Sequence, residues 1–455
     1  MEFTMLADAV ARQIVAGDLP PGTRLPTHRA FARRHGVAAS TATRVYQELT
    51  RRGLIVGEVG RGTFVRAMRP TADPVLAEPT GLRVDLELNF PVQPEQRARL
   101  ASSMAEFLRT GGAAAALGPW AGPPGTAAVR TADAPGARPA GPSGNAADVL
   151  ASLLVRPGWR PERIVLTGSG RQAIAAALAT CARPGDRLGV EPLTYPVVKA
   201  VGARLGLTLV PLDLDDDGII PERLRATHRR TPLTAVYLQP GLHNPLGISV
   251  PPDRRAALAE VLEACGVTVI EDAVYSFLTE PAPPLTDRSL VVDSLSKRVA
   301  PGLAVGMIAC SAAEERQVSA AVRSGAWTPS AVAAEVAAHW VRDGTVAAIV
   351  AEKRADARER HALARTVLAG FDVIGDQRSY HCWWRLPARW RAETFVAAAA
   401  RHGIAVTPGA AYAVQHNSTP NAVRLALSAP PVDVLAAALH TLRTIAEGTP
   451  DDEFA

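Results

Sequence analysis

Six short runs rich in Val, Ile and Leu, "RIVLT", "RLGVE", "TLVPL", "AVYLQ", "VTVIED" and "SLVVDS", follow one another between residues 163 and 294 and alternate with helical runs. Strands apolar on both faces need cover on both faces, so the alternation predicts a mostly parallel sheet with helices packed on each side. A chain of 455 residues, 47% hydrophobic and 20% charged, has room for such a core and for a further domain. No stretch is long and apolar enough to span a bilayer, and the amino-terminal stretch carries Glu2 and Asp8 within a helical pattern. The expectation is a cytoplasmic protein with neither a membrane span nor a secretory leader. Cys181, Cys265, Cys310 and Cys382 lie far apart with no Cys/His cluster, which predicts core thiols and neither disulfides nor a metal site.

In sheets of this kind ligands sit at the carboxyl ends of strands, and the polar outliers of this chain fall there. After "RIVLT" comes Gly168-Ser169-Gly170-Arg171-Gln172, a glycine-rich turn opening a helix, whose free N–H groups suit a phosphate. After "AVYLQP" comes Asn244, in an Asn-Pro turn that is unremarkable by itself. Asp272 closes "VTVIED" with Tyr275 three residues on, and "SLVVDS" runs into Ser294, Ser296 and Lys297. Lys297 is one of only three lysines in a chain that otherwise writes its positive charge as arginine. A lysine amine can lose its proton when desolvated and form a Schiff base, which a guanidinium cannot.

These four strand ends together describe a site for pyridoxal phosphate, which needs a lysine for its aldehyde, a carboxylate at its pyridine nitrogen, donors to its phenolic oxygen, and a phosphate pocket. Lys297, Asp272, Asn244 with Tyr275, and the Gly170 turn with Ser294 and Ser296 are the respective candidates. Arg171 and Arg298 stand near the expected phosphate.

The charge is uneven. Residues 1–66 hold ten arginines against five acids, a net charge of +5, which is also the net charge of the whole chain. A basic module on a neutral body points to a polyanion partner for the module. Phe3, Leu6, Val10 and Ile14 recur at helical spacing, "DLPPGTRLP" breaks the pattern, and Thr27 opens a second helix ending near Gly36. Along "ASTATRVYQELTRR", Ala42, Val45 and Leu49 share one face while Ser40, Arg44, Gln47 and Arg51 lie opposite. "LIVGEVGRGTFV" then reads as a hairpin with a Gly-Arg-Gly tip. Helix, turn, helix and wing is an arrangement that places the third helix in the major groove of double-stranded DNA, with Arg61 of the wing on phosphates or in the minor groove. A helical domain whose arginines merely face water would share the charge but not the wing.

The stretch "LPTHRAFARRHGVAASTATRVYQEL…GLIVGEVGRGTFV" closely resembles the winged helix of the GntR regulators. By that resemblance Arg29, Ser40, Thr41, Arg44 and Gly62 contact DNA. Ala39 stands where the family often has arginine, which implies an altered operator. The body resembles fold type I aminotransferases, which supply the groups above in the same order. That likeness implies that Tyr195 of "EPLTYP" stacks on the cofactor ring and that Arg424 of "AVRLALS" grips an amino-acid carboxylate through its fork. In "HCWWRLP", His381 is read as a packing residue rather than a base.

A winged helix of the GntR kind fused to such a domain is the architecture of the MocR regulators, which the chain resembles over nearly its whole length apart from residues 111–144. The resemblance implies a multidomain protein: a winged helix-turn-helix (α+β) at 1–66, a linker at 67–84, an α/β fold type I PLP-dependent transferase-like domain at 85–447, and a tail at 448–455. The large part of that domain is expected at about 147–330 and the small part at about 335–447. Residues 111–144, rich in Ala, Gly and Pro, read as a loop or lid. The resemblance further implies a transcription regulator that holds pyridoxal phosphate on Lys297. Its DNA contacts would change when the cofactor, or an amine or amino-acid effector, binds. It also implies a head-to-tail homodimer. The alternatives are a pyridoxal phosphate-dependent aminotransferase that carries a DNA-binding module, and a regulator whose second domain is a cofactor-free scaffold. One departure bears on all three: the family's phosphate-pairing arginine, seven residues after the lysine, is here Ala304.

Overall fold

Helices Phe3–Ala16, His28–His35 and Ala39–Arg51 open the chain, packed around Leu6, Val10, Phe31, Val45, Leu49 and Ile55. The computed structural model describes residues 3–16, 18–19, 22–51, 54–58, 62–65, 83–111, 117, 126–128, 145–280, 282–415 and 419–454. The Thr27 hydroxyl accepts from Ala30 N at 3.3 Å and caps the second helix, which ends at Gly36 in the left-handed region. Ile55–Glu58 and Gly62–Val65 pair antiparallel as the wing. "DLPPGTRLP" does more than break a helix: Arg24–Leu25 pairs with Phe64 and Thr63 as a third strand. A two-residue strand is too short to show as periodicity. The Tyr46 hydroxyl, on the third helix, donates to Pro26 O at 2.5 Å and ties that helix to the connecting turn.

The body is built on an eight-stranded sheet in the order Thr126–Ala128, Arg163–Thr167, Gly306–Cys310, Ser289–Ser294, Thr268–Asp272, Ala235–Leu238, Arg187–Val190, Thr208–Pro211. All six strands read from the sequence are present. The last five strands of that order pair parallel, whereas Gly306–Cys310 runs antiparallel to both neighbours. Its "GMIAC" run mixes small residues with few β-branched ones, which weakens the strand signal. Helix Gly170–Cys181 buries six successive residues, Ala173 to Leu178, on one face of the sheet. Helices Ala146–Ala151 and Ala331–Arg342 cover the other.

A second, four-stranded sheet runs in the order Asp372–Ile374, His381–Arg385, Ala422–Ala426, Thr407–Pro408. Its core holds Trp384, Trp390 and Phe395, covered by helices Ala392–Arg401 and Val432–Glu447. Helix Thr345–Val367 joins the two sheets' layers. Val84–Asp85 pairs parallel with Ile404–Ala405. The tail does not trail. Pro450–Phe454 is helical, and Glu453 Oε2 lies 2.9 Å from His402 Nε2. Of the Ala/Gly/Pro stretch, Thr126–Ala128 is an edge strand on Arg163–Val165. Most of the rest of that stretch, all but the last two residues of the linker at 67–84, and Arg61 lie outside the described residues.

One buried ion pair fastens the large part. Arg156 Nη1 lies 2.6 Å from Glu271 Oε1 and 3.0 Å from Ala282 O, and both side chains are almost wholly out of water. Removing Arg156 leaves the buried Glu271 with only Arg255, 3.8 Å away, as counter-charge. Arg156→Met is expected to lower the stability of the body by about 3 kcal/mol, measured as a shift of the urea midpoint.

Candidate functional site

Lys297 lies on the four-residue helix Leu295–Arg298, directly after the strand Ser289–Ser294. Its Nζ donates to Asn89 O at 2.5 Å and stands 3.4 Å from the centre of the Phe90 ring. Burial, reinforced by the positive charges of Arg424, Arg171 and Lys353, holds this amine well below the ordinary lysine value. A deprotonated amine is a nucleophile.

Asp272, at the end of the neighbouring strand, is 3% exposed. Its Oδ2 accepts from the Tyr237 hydroxyl at 2.6 Å and its Oδ1 from Val274 N at 3.0 Å. Burial nevertheless pushes the carboxyl up to about 6. Tyr275 Oη accepts from Asn89 Nδ2 at 3.0 Å, and the same amide lies 3.3 Å from His381 Nδ1. His381 Nε2 lies 3.0 Å from His243 O, a pure acceptor, so the ring proton is placed on Nε2. Burial lowers the His381 pKa to about 3, which keeps it neutral. The ring thus organises Asn89 and Tyr275.

Arg424 sits in the middle of the small sheet, not on an edge strand, with His381–Arg385 on one side and Thr407–Pro408 on the other. It is 5% exposed. Its Nη1 donates to Asn244 Oδ1 at 3.3 Å, its Nη2 to Glu87 O and to Thr407 Oγ1, and its Nε has no partner among the described residues. The Glu87 carboxyl, half-buried between Asp85 and Arg424, is raised to about 7, chiefly by burial.

At the other end of the site, Ser169 caps the helix Gly170–Cys181 by accepting from Gln172 N at 3.2 Å. Ser294 Oγ and Ser296 Oγ lie 3.0 Å apart. A Cβ on Gly170 would stand 2.9 Å from Ser294 Cβ, so only glycine lets this turn approach the serines. Arg171 is exposed on the first turn, and hydrogen-bonds Tyr195. Arg298, expected beside the phosphate, is turned away: its Nη2 lies 2.5 Å from Asp293 Oδ2 and its guanidinium stacks on Phe277 at 5.5 Å. A buried carboxylate therefore already holds one of its nitrogens. Ala304 is exposed.

On the winged helix, Arg29 is exposed on the second helix; on the third, Ser40 and Arg44 are exposed opposite Ala42, Val45 and Leu49, each 0% exposed, and Thr41 is partly exposed beside that buried face. Gly62 has φ of 128°, and a Cβ there would stand 2.8 Å from Arg24 Nε. Glycine is therefore required by the wing's own geometry, whatever it touches. Sequence reasoning missed Asn89, Phe90, Glu87, Tyr237 and Lys353. Only Tyr237 left a trace, as a hydroxyl inside a strand that needed a buried partner.

The residues present fit pyridoxal phosphate on three counts. The donor set is complete: amine, buried carboxylate, phenol and amide. The Gly170 turn with its two serines is a cradle that any Cβ would fill. Buried polar atoms around it, Gln172 Oε1, Thr194 Oγ1 and Arg424 Nε, have no protein partner among the described residues. Among the same residues no group of three or more metal-ligating side chains occurs, and no helix is long and apolar enough to cross a membrane.

Residues 154–442 match the family described as aminotransferase class I and II, and residues 4–65 match the bacterial regulatory proteins of the gntR family. The chain belongs to the aminotransferase class I and II family and carries a GntR DNA-binding domain ahead of it. That combination makes it a transcription regulator of the MocR type. It is 27% identical to the uncharacterized HTH-type transcriptional regulator YdeF of Bacillus subtilis (strain 168), over 94% of this chain and 90% of that one. It is also 27% identical to the HTH-type pyridoxine biosynthesis transcriptional regulator PdxR of Corynebacterium glutamicum, over 75% of this chain and 74% of the relative. The crystal structure of Pyrococcus horikoshii kynurenine aminotransferase superposes with a TM-score of 0.69 at 22% identity, covering 83% of this chain and 92% of that chain.

Asp272 supplies a stability test with a definite sign. Its pKa is higher folded than unfolded, so the acid contributes stability below pH 4 that is lost as pH rises through about 6. Asp272→Asn removes that loss. The variant should gain about 2–3 kcal/mol relative to the parent at pH 8 and little at pH 4, as read from melting curves at the two pH values.

Proposed function

We propose that the protein is a cytoplasmic, pyridoxal phosphate-binding transcription regulator. Its hold on double-stranded DNA is modulated when the cofactor itself, or an amine or amino-acid effector, occupies the aminotransferase-like site. Lys297 would carry the cofactor, Asp272 would face its ring nitrogen, and Asn244 and Tyr275 its phenolic oxygen. Tyr195 would stack on the ring, and Gly170, Ser294, Ser296 and Arg171 would take the phosphate. When bound, the group supplies an aldehyde for an amine and a ring that withdraws electrons. The fork of Arg424 suits the effector's carboxylate. Arg29, Ser40, Thr41, Arg44, Arg61 and Gly62 are the DNA contacts in this reading, and a head-to-tail homodimer is the assembly it favours.

One observation carries the regulatory part. Val84–Phe90, which follows the linker in sequence, is held by two side chains of the site: Lys297 donates to Asn89 O and Arg424 to Glu87 O. A carboxylate arriving at Arg424 competes with the Glu87 carbonyl for the same N–H groups. Occupation of the Lys297 amine withdraws the donor from Asn89 O. Either event frees the stretch that continues into the linker, and so reaches the DNA-binding module.

With Ala304 in place of arginine and Arg298 bound to Asp293, Arg171 becomes the cation for the phosphate. A contact from one exposed side chain on a first turn is weaker than a buried fork. The resulting affinity suits a sensor, whose occupancy must vary. An aminotransferase would use the same donor set, and steady turnover of an amino donor with a keto acid would establish that reading instead.

Titration of the purified protein with pyridoxal phosphate should raise a visible absorption band that Lys297→Ala lacks. Arg171→Ala should weaken the cofactor roughly tenfold or more while leaving phosphate-free pyridoxal unaffected. The absence of a band in the parent would make the domain a scaffold. In DNA binding, Arg44→Ala should reduce affinity and, for a phosphate contact, lower the salt slope by about one, measured by fluorescence anisotropy over a salt series.

A further inference from the structure

Lys353 lies in the helix Thr345–Val367 and is 0% exposed, although lysine is rarely buried without a partner. Its ammonium donates to three consecutive carbonyls: Lys297 O at 3.0 Å, Arg298 O at 3.2 Å and Val299 O at 2.8 Å. These are carbonyls left open at the end of the helix Leu295–Arg298. All three donors of the ammonium are therefore spent on the turn that carries Lys297. An apolar side chain of similar length would fill the same space without the cost of desolvating a charge. Arginine, used almost everywhere else in this chain, cannot present three donors from one point.

The surroundings hold the lysine in place. Gln96 Nε2 reaches Val299 O at 2.8 Å, and the Tyr380 hydroxyl lies 2.9 Å from Lys353 O and 2.8 Å from Asp356 Oδ2. From the same helix Arg354 donates to Phe277 O and Thr279 O, and Arg360 to Leu427 O and Pro430 O. The helix thus binds the Lys297 turn to both parts of the body.

We propose that Lys353 is the positioning residue of the site. Its buried ammonium clamps the carbonyls of residues 297–299, fixes the Lys297 amine between Asn89 O and the Phe90 ring, and sets a positive charge behind that amine which keeps it nucleophilic. The charged groups that act on Lys297 are Arg424, Arg171 and Lys353, all cationic. Lys353 itself is lowered to about 7 by burial, with Asp356 opposing. The inference rests on Lys297 being the reactive amine of the site, but not on which molecule it holds.

The test needs no cofactor. The full chain is treated briefly with a water-soluble acetylating reagent at a series of pH values, and labelling of Lys297 is quantified by peptide mass spectrometry with Lys199 as internal reference. In the parent, Lys297 should label well below the pH at which ordinary lysines do. In Lys353→Met, and in Lys353→Gln should the first variant not fold, the Lys297 profile should move up by about one pH unit, a roughly tenfold loss of labelling below pH 7, where Lys353 is charged. Lys199 should be unchanged. An unshifted Lys297 profile in a folded variant overturns the proposal, as does a parent Lys297 that labels at the ordinary lysine pH. A shifted profile in a protein that never gains the visible band leaves Lys353's role standing and sinks the cofactor reading.

Discussion

Positive charge held out of water is the constraint around which this site is arranged. Lys353, Arg298 and Arg424 bring charged heads, and Lys297 an amine held well below its ordinary pKa, into a low-dielectric region, where an unpaired ion is costly. Only Arg298 is paired with a carboxylate, Asp293. The others lean largely on backbone carbonyls: Asn89 for Lys297, residues 297–299 for Lys353, Glu87 for Arg424. Carbonyls satisfy hydrogen bonds without cancelling charge. The site therefore stays electropositive, which favours anionic ligands and depresses the pKa of its own lysine.

That choice of partners explains which features were legible in the sequence. A strand end, a glycine turn and a lysine among arginines are local facts. The six apolar runs, Lys297, Asp272, Tyr275 and the two serines could all be read directly. Carbonyl partners have no residue identity, so nothing in "ELNFPVQPEQ" marks Asn89 O as the acceptor of an amine 208 residues away. Lys353 was hidden for a related reason: it lies mid-helix in a charged run, and only the fold turns it inward. The return strand Gly306–Cys310 and the two-residue Arg24–Leu25 escaped because short or small-residue strands carry little periodicity.

Arg298 shows the opposite failure, in which position in sequence suggested a role that packing reassigns. It stands next to Lys297, yet successive residues of a helical turn point about 100° apart. Its side chain meets Asp293 and Phe277. Arg171 is far from Lys297 in sequence, but strand order brings the two ends together, because Arg163–Thr167 lies one strand from Ser289–Ser294 across Gly306–Cys310.

The short parallel ladder at Val84–Asp85 has a mechanical side. Val84 N bonds to Gly403 O and Leu86 N to Ala405 O, each at 2.9 Å, while Leu86 O accepts from Ala426 N at 2.8 Å. A force along this strand runs across its hydrogen bonds, so the bonds resist together in shear instead of opening one at a time. The strand is therefore fixed to the small sheet as a unit, and it yields to a change at Glu87 or Asn89 only as a unit, without fraying.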